Sequence, residues 1–392
     1  MAKKANLVIP LMKHILFFVE SLSGGGAEKV LVTLLRHLDQ RKYSITLVTL
    51  VDTGILREEI DKEKISYRPV IRPSSNPFVS LWNKAKYKLI YKYLPVQLVC
   101  KWIIPQKSID LYVAFTEGFA TKLLAFAPGP KLTWVHTNLK DYPWTQDIKI
   151  YRNLQKEISA YRQFNAVVCV SGSVAQVMKD FYGIIPVRTL LNPVDTFDIV
   201  EKSNEPLGEK VRGSAFRIVS IGRLIKQKGY DKLIPMIRRL IDRNHDVVLY
   251  LIGEGEEKDS LVQLVNDHHL NDYVYFTGYL NNPYPLLKQM DLFVCSSLAE
   301  GFSLAVAEAL VLGLPVVSMN CSGPDYLLGD GQYGDLCGSY DELFHAIERA
   351  IFDPAYNKRL KEMAYCRARS FNIQETVRQV ESLFDETIAC PQ

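Results

Sequence analysis

Short hydrophobic runs alternate along the chain with longer stretches in which apolar residues recur every three or four positions. The runs HILFFVE (14–20) and SITLVTL (44–50) are almost entirely apolar and have the length of a strand, whereas KVLVTLLRHL between them has the spacing of an amphipathic helix. Strands that are apolar on both faces are typical of a parallel sheet that helices cover on both sides. The pattern therefore predicts an α/β protein.

This alternation of strands and helices occurs twice. Further strands are predicted at 109–115, 131–136 and 166–171 in the first half, and at 216–222, 246–253, 273–278, 292–297 and 314–319 in the second. The segment between the halves, 192–216, is polar and rich in turn residues, which favours a linker. We therefore predict two doubly wound, Rossmann-like domains that face a central cleft. The predicted division is residues 1–195, a linker at 196–215, residues 216–371, and a C-terminal helix at about 372–392 that packs back on the first domain.

Length and composition narrow the class of protein. A chain of 392 residues is long for one hydrophobic core, and 48% hydrophobic with 23% charged residues is ordinary for a soluble globular protein. The formal net charge is only +4. Because nucleic-acid-binding domains have a strong excess of basic residues, this charge speaks against a nucleic-acid partner.

The cysteines and the N-terminal segment indicate a cellular compartment. The seven cysteines are scattered and include no C-x-x-C pair, which favours reduced thiols in the cytosol. The apolar stretch 15–19 is too short for a signal peptide and runs into a glycine turn, so it is interpreted as the first strand. No run reaches the ~18 apolar residues of a transmembrane helix. We therefore expect a cytoplasmic protein.

Three consecutive glycines lie between the first strand and the first helix, in SLSGGGAEK (21–29). Glycines there let the backbone turn tightly and bring free amides at a helix start close to an anion. The spacing G-x-G-x-x-G of dinucleotide-binding loops is absent, which speaks against an NAD oxidoreductase. A purely structural turn remains the alternative to an anion site.

Two cations follow the first strand of the second half, in IGRLIKQKG (221–229). Arg223 and Lys228 come within one short loop, at the carboxyl edge of the predicted sheet. The guanidinium fork and the ammonium point charge together can neutralise a diphosphate. The alternative is a solvated loop with ordinary surface charges.

Two glutamates flank a predicted helix start in SSLAEGFSLAVAEALVLGLPVV (296–317). If the helix begins at Ser303, its first amides lack intrahelical partners and point at the cleft. Glu308, inside the helix, can accept hydrogen bonds from a diol, and Glu300, in the preceding loop, faces another part of the same ligand. This spacing suits a central anion flanked by hydroxyl groups, as in a sugar nucleotide, but two unrelated glutamates remain the alternative.

An ordered set of these motifs resembles a known family. SGGGAEKVL follows the first strand, GRLIKQKG opens the second half, and EGFSLAVAE has the pattern E-x7-E. IGEGEE (252–257) and FTGYLNNP (276–283) stand where the family has base-recognition loops. The chain is thus similar over nearly its whole length to the retaining glycosyltransferases of GT-B fold, family 4.

The resemblance implies a role for each motif residue. Arg223 and Lys228 correspond to the diphosphate clamp, Glu308 to the ribose ligand, and Glu300 to the carboxylate that contacts donor-sugar hydroxyls. His136, at the end of a strand, corresponds to an active-site histidine, although packing against Trp134 is the alternative. The remaining residues that the resemblance assigns to the nucleotide-sugar site are Gly25, Gly26, Gly222, Gly253, Glu254, Tyr279, Gly301, Phe302, Ser303 and Leu304.

The function implied is transfer of a sugar from a nucleotide-sugar donor, a UDP-sugar by family precedent, to a glycan or lipid-linked acceptor of a bacterial surface polysaccharide or glycolipid. The family works with retention, by front-face attack, and without a metal or other cofactor, and the sequence contains no D-x-D triplet that would bind a divalent cation. The alternatives are a GT-B epimerase, a phosphorylase with a pyridoxal lysine, and a nonenzymatic nucleotide-sugar-binding protein.

A basic segment in the first half concerns the acceptor. Residues 64–109 contain nine lysines or arginines and no acidic residue, and within them 77–107 mixes lysines with tryptophans and tyrosines. Such a surface can rest on an anionic membrane near a polyprenyl-linked acceptor. A helix that packs its aromatic residues on its own domain and exposes a basic face is the alternative. We expect peripheral membrane association without a membrane span.

Overall fold

The computed structural model describes residues 12–106, 108–207, 211, 213 and 215–390, and its N-terminal domain is built on a seven-stranded sheet. All neighbouring strands are parallel, in the order β3-β2-β1-β4-β5-β6-β7. The strands are β1 (Lys13–Val19), β2 (Tyr43–Val51), β3 (Ile65–Ile71), β4 (Leu111–Ala114), β5 (Lys131–Val135), β6 (Ala166–Cys169) and β7 (Val187–Thr189).

The C-terminal domain repeats this plan on a six-stranded parallel sheet of order β10-β9-β8-β11-β12-β13. Its strands are β8 (Phe216–Ile221), β9 (Val247–Ile252), β10 (Val274–Gly278), β11 (Leu292–Cys295), β12 (Val316–Met319) and β13 (Asp335–Cys337). In each sheet the first strand has later strands on both sides. The direction in which successive strands are added to the sheet therefore reverses beside β1 and beside β8. Open α/β sheets bind ligands in the crevice outside the carboxyl ends of strands at such a point.

Helices cover both faces of the sheets, as the apolar strands require. Alternate residues of β1 belong to different cores: Ile15 and Phe17 to one side, Leu16 and Phe18 to the other. The helices are α1 (Gly26–His37), α2 (Pro77–Lys88), α3 (Val96–Ile103), α4 (Phe119–Leu124), α5 (Trp144–Asp147), α6 (Leu154–Tyr161), α7 (Gly172–Asp180), α8 (Thr196–Lys202), α9 (Tyr230–Asp242), α10 (Lys258–Asp267), α11 (Tyr284–Leu287), α12 (Leu304–Val311), α13 (Ser322–Leu328), α14 (Tyr340–Phe352), α15 (Pro354–Ala368) and α16 (Ile373–Ala389). The predicted fold class, two doubly wound α/β domains, is confirmed. In the described ranges, no helix has both the length and the apolar character of a membrane span.

Three strands were not predicted from the sequence: β3, β7 and β13. Each lies at the edge of its sheet. An edge strand pairs on one side only and leaves more of its surface to solvent, so it need not be apolar at every position. The three-residue β7, for example, is half-buried at its first residue and exposed at the other two. Periodicity therefore found the central strands and the edge strand β10, and missed the other three edge strands.

The predicted linker, 196–215, begins with a helix. Asp195 caps α8 by accepting a hydrogen bond from the Asp198 amide at 3.0 Å, and Ile199 buries its side chain in the core. The capping hydrogen bond of Asp195 and the buried side chain of Ile199 stabilise this short helix, although its sequence has no apolar repeat. Residues 208–210, 212 and 214 of this segment lie outside the described residues.

The C-terminal helix α16 packs on the N-terminal domain. The Phe384 ring lies edge-on to the rings of Tyr43 and Phe17, each with centroids 6.0 Å apart. Beside it the Lys13 ammonium lies 2.7 Å from the Asp385 carboxylate. The chain therefore crosses from the first domain to the second and returns to the first.

Candidate active site

The carboxyl edges of the two sheets approach each other at glycines. A β-carbon on Gly301 would lie 1.8 Å from the carbonyl oxygen of His136, and one on Gly24 would lie 2.9 Å from the Tyr279 hydroxyl. A larger residue at Gly301 would therefore collide with the backbone of the other domain. These approaches bring the glycine turn and the histidine strand end of the N-terminal domain against the motif loops of the C-terminal domain.

Lys228 and Glu300 form an ion pair on the C-terminal side of the cleft. The ammonium Nζ lies 2.6 Å from Oε1 of Glu300, and the Ser297 hydroxyl donates to the same oxygen at 2.7 Å. Burial by itself favours the neutral amine, but the adjacent Glu300 carboxylate, with smaller contributions from Tyr230 and Cys295, holds the pKa of Lys228 above its ordinary value. Lys228 is therefore a fixed positive charge at neutral pH.

A left-handed glycine sets the position of this lysine. Gly229, at φ +65°, follows the 3-10 turn Lys226–Lys228, and a β-carbon there would lie 2.3 Å from the Ser296 carbonyl oxygen. Only glycine fits such a close approach. The loop consequently runs against the end of β11, which is why Lys228 reaches Glu300, 72 residues away in the chain.

Arg223 lies at the same sheet edge but points elsewhere. It is exposed and is separated from the end of β8 by Gly222, whose carbonyl oxygen would lie 2.1 Å from a β-carbon on Gly253. Burial raises the pKa of the Glu28 carboxyl, and the positive charge of Arg223 opposes that rise. The two cations of the predicted clamp thus share an edge, one paired within its domain and the other facing the N-terminal domain.

Helix α12 presents unpaired amides to the cleft. It begins at Leu304, with Ser303 as its N-cap in the left-handed region at φ +63°. The Ser303 carbonyl accepts the amides of Val306 and Ala307, so the preceding first-turn amides have no intrahelical acceptor. Phe302 before them is buried. This geometry suits an anion at the helix start, where the helix dipole also favours negative charge.

Glu308 lies in the second turn of α12 and is buried. Its Oε1 accepts from the ammonium of Lys29 at 2.5 Å and from the hydroxyl of Tyr284 at 3.1 Å. Lys29 belongs to α1 of the other domain. The sequence analysis identified Glu308 but neither partner, although Lys29 lies within the glycine motif and could have been singled out there.

His136 follows β5 on the N-terminal side of the cleft. Its Nε2 lies 2.8 Å from the Phe115 carbonyl oxygen, and its amide donates to the Glu117 carboxylate at 2.9 Å. Burial lowers the pKa of His136, with Glu117 opposing the shift. Because a carbonyl only accepts, Nε2 carries the hydrogen, and the neutral ring keeps Nδ1 as an acceptor. The ring in contact with His136 is Phe115, which itself stacks on Trp134.

Two further carboxylates of the N-terminal domain were not identified from the sequence. Glu20, directly after β1, has its pKa raised to about 7 by burial, although the Phe119 amide and the Tyr91 hydroxyl act in the opposite direction. Buried Glu117 also accepts the Trp144 ring N–H at 3.4 Å. Both lie at ends of strands that flank the switch point, and only the tertiary structure places them beside the cleft.

Comparison with known proteins gives the family. The sequence profile of the family described as glycosyltransferase family 4 matches residues 24–197, and that of glycosyl transferases group 1 matches residues 203–367. An uncharacterized glycosyltransferase of Methanocaldococcus jannaschii is 31% identical over 85% of this chain and 90% of its own. The chain belongs to the group 1, family 4 glycosyltransferases.

Two other relatives are similar over nearly the full length. The N-acetylgalactosamine-N,N'-diacetylbacillosaminyl-diphospho-undecaprenol 4-alpha-N-acetylgalactosaminyltransferase of Campylobacter jejuni is 26% identical over 92% of this chain and 96% of its own. The crystal structure of Anabaena HepE in complex with UDP and glucose superposes with a TM-score of 0.74, covering 95% of this chain and 99% of that one at 22% identity. The fold is therefore GT-B.

The remaining predicted residues of this glycosyltransferase lie around the same edge. Gly25 is the N-cap of α1 and Gly26 its first residue, with open space around the latter. Glu254 is exposed after β9, where it pairs with Lys258 at 2.9 Å, and Tyr279 follows β10. Within the described residues, no group of three His, Cys, Asp or Glu side chains could hold a metal ion. Metal independence stays a prediction.

Proposed function

We propose that this glycosyltransferase takes a UDP-sugar as donor and binds it across the cleft, with the diphosphate at the start of α12. The observation that carries the proposal is the Lys228–Glu300 pair, 2.6 Å long, beside the unpaired amides of that helix. A lysine whose charge is fixed by a glutamate thus lies near helix amides that can bind an anion. The HepE structure, a complex with UDP and glucose, supports the choice of nucleotide.

Each end of the donor has a partner in this arrangement. Arg223 and Lys228 neutralise the diphosphate, with the amides of Gly301, Phe302, Ser303 and Leu304 around it. Glu308 accepts from the ribose diol, and Glu300 accepts from sugar hydroxyls. His136 contributes through Nδ1, which accepts a hydrogen bond from a sugar hydroxyl because Nε2 is committed to Phe115.

The proposed reaction proceeds with retention and without a metal ion. The bond from the anomeric carbon to the diphosphate oxygen breaks, and a bond to the acceptor oxygen forms on the same face. The acceptor proton moves to the departing diphosphate, whose negative charge is stabilised by Arg223, Lys228 and the helix start. The positive charges that a metal would supply are thus side chains of the C-terminal domain.

We propose that the acceptor is linked to a polyprenyl diphosphate and that α2 and α3 lie on the membrane surface. None of the residues of α2 is buried, and Phe78 and Trp82 are 84% and 69% exposed. A groove of about 520 Å³ between α2 and the ends of β2 and β3 is mainly apolar and carries Lys84 and Lys88. Apolar lining beside cations suits a hydrocarbon chain with an anionic head. The Campylobacter relative, by its name, acts on a diphospho-undecaprenol-linked sugar.

This surface favours the membrane interpretation over an aromatic helix packed on its own domain, because its large apolar side chains face outward. We therefore place the protein on the cytoplasmic face of the membrane, bound peripherally. Lys107, at the end of the predicted segment 77–107, lies outside the described residues.

The decisive experiment measures donor binding and turnover together. Thermal unfolding with a panel of UDP- and GDP-sugars should show stabilisation by UDP-sugars, since a ligand that binds the folded state raises its apparent stability. The stabilising UDP-sugar should then be hydrolysed slowly in the presence of EDTA. Strict dependence on Mg²⁺ or Mn²⁺ would refute the metal-free proposal, and release of an epimerised sugar would favour the epimerase.

A further inference from the structure

The ion pair of Lys29 with Glu308 joins the two domains inside the proposed donor site. The two residues are 279 positions apart in the chain, and Lys29 comes from the first turns of α1 while Glu308 comes from α12. Their charged atoms are 2.5 Å apart. The contact therefore exists only while the domains face each other as they do here.

Glu308 depends on its ion pair with Lys29 because its carboxylate is buried. Its side chain is 5% exposed, against 34% for that of Lys29. A carboxylate that has lost its water needs a cation or hydrogen-bond donors in compensation. The Tyr284 hydroxyl supplies one donor, and the Lys29 ammonium, which also lies 4.8 Å above the centre of the Tyr284 ring, supplies the charge.

The same contacts leave part of Glu308 available to a ligand. Among the described residues, both hydrogen bonds to this carboxylate fall on Oε1. Oε2 can therefore accept from a diol while Lys29 and Tyr284 hold the other oxygen in place. Lys29 orients the carboxylate without occupying the whole of it.

We propose that Lys29 is a positioning residue of the donor site, which holds Glu308 in place for the ribose and thereby makes nucleotide affinity depend on contact between the domains. This inference rests on the proposed function, in which Glu308 binds the ribose. It extends that function by giving a residue of the N-terminal domain a part in nucleotide binding. Lys29 acts through Glu308, so its effect on nucleotide affinity must disappear when residue 308 no longer carries a carboxylate.

The test is a double-mutant cycle read by calorimetric titration with UDP. Lys29→Met should raise the Kd for UDP roughly ten- to a hundredfold and raise the KM for the UDP-sugar by a similar factor, with a smaller change in kcat. Lys29→Arg should recover much of the affinity. In a Glu308→Gln background, Lys29→Met should change the Kd by no more than about twofold.

Lys13→Met is the matched control. It removes an ion pair of similar length, 2.7 Å to Asp385, that also joins distant parts of the chain but lies away from the cleft. Its Kd for UDP should equal that of the unaltered protein. Lys29→Gln, which keeps a hydrogen-bond donor without the charge, is measured in parallel so that a poorly folded methionine variant still leaves a decisive comparison.

The outcomes separate this inference from the proposed function. An unaltered Kd in both Lys29→Met and Lys29→Gln overturns the role of Lys29, as does an equal loss in the Glu308→Gln background. If the unaltered protein binds none of UDP, GDP or ADP, the proposed function fails instead.

Discussion

The two walls of the cleft use the same kind of side chain in opposite electrostatic settings. On the C-terminal wall, Glu300 and Glu308 each have a lysine ammonium within 2.6 Å. On the N-terminal wall, burial raises the pKa of Glu20 to about 7 and raises that of Glu28 as well. One wall therefore presents carboxylates balanced by cations, and the other presents carboxyls that bind a proton more readily.

This difference fits the two kinds of ligand. A nucleoside diphosphate brings negative charge, and in the proposed function the C-terminal wall meets that charge with lysine, arginine and a helix start. Unbalanced negative charge on the opposite wall would repel the departing diphosphate in a site of low dielectric constant. A carboxyl that holds its proton near neutral pH avoids that repulsion and can still form hydrogen bonds to the hydroxyls of an acceptor.

The strongest test of the comparison is Lys228→Ala. Without this ammonium the buried Glu300 keeps its hydrogen bond from the Ser297 hydroxyl but loses its ion pair. In the proposed function, the diphosphate also loses one of its two cations. We expect the Kd for a UDP-sugar to rise at least a hundredfold, about 3 kcal/mol. Lys226→Ala, in the same turn but exposed, is the control. Affinity undiminished by Lys228→Ala would remove this lysine from the clamp.

A change at His136 on the N-terminal wall should act on turnover and not on nucleotide affinity, unlike a change at Lys29, which acts through Glu308. His136→Phe keeps the ring contact with Phe115 but removes the Nδ1 acceptor, together with the Nε2–H that donates to the Phe115 carbonyl oxygen. We expect kcat to fall roughly ten- to a hundredfold because the sugar is less well oriented. The Kd for UDP should stay within about twofold of its original value. A parallel loss of UDP affinity would mean that His136 also takes part in nucleotide binding.

The raised pKa of Glu20 predicts how stability depends on pH. A carboxyl with a pKa of about 7 when folded and 4.5 when unfolded binds more protons in the folded state, so stability falls as pH rises from about 4.5 to about 7. Glu20→Gln removes this loss. Allowing for partial exposure to water, the variant should be about 1–2 kcal/mol more stable than the parent at pH 8, with little difference at pH 4.5.

Thermal unfolding at the two pH values measures this effect. Glu63→Gln, on the exposed turn before β3, is the control and should alter neither melting temperature. Glu20→Gln could instead change the melting temperature equally at both pH values. That result would show that the Glu20 carboxyl does not titrate between pH 4.5 and pH 8.

The smallest effect is expected outside the cleft, on the surface of α2 that we propose lies on the membrane. Lys84→Gln with Lys88→Gln should weaken binding to liposomes containing anionic lipid roughly tenfold at low salt, and much less at high salt. Lys358→Gln with Lys361→Gln removes equal charge from the exposed side of α15 and should change little. Equal effects of the two double substitutions on liposome binding would mean that α2 is an ordinary solvated helix.

The sequence by itself determined the architecture and the motif loops. Strands buried on both faces are apolar at most positions, so the central strands could be predicted, and the loops after parallel strands must share one edge. Arg223, Lys228, Glu300 and Glu308 could be placed at that edge for this reason. Edge strands such as β3 and β7 could not be found, because pairing on one side does not require a continuous apolar run.

Only the tertiary structure decided which groups are paired across the cleft. Lys29 and Glu308 are 279 residues apart, and nothing local to either residue marks the other as its partner. The contact of Glu117 with the His136 amide and the raised pKa of Glu20 likewise arise from neighbours brought by other elements. Local sequence determines which elements form, whereas the charges that meet, and the water that is excluded around them, depend on how the two domains pack.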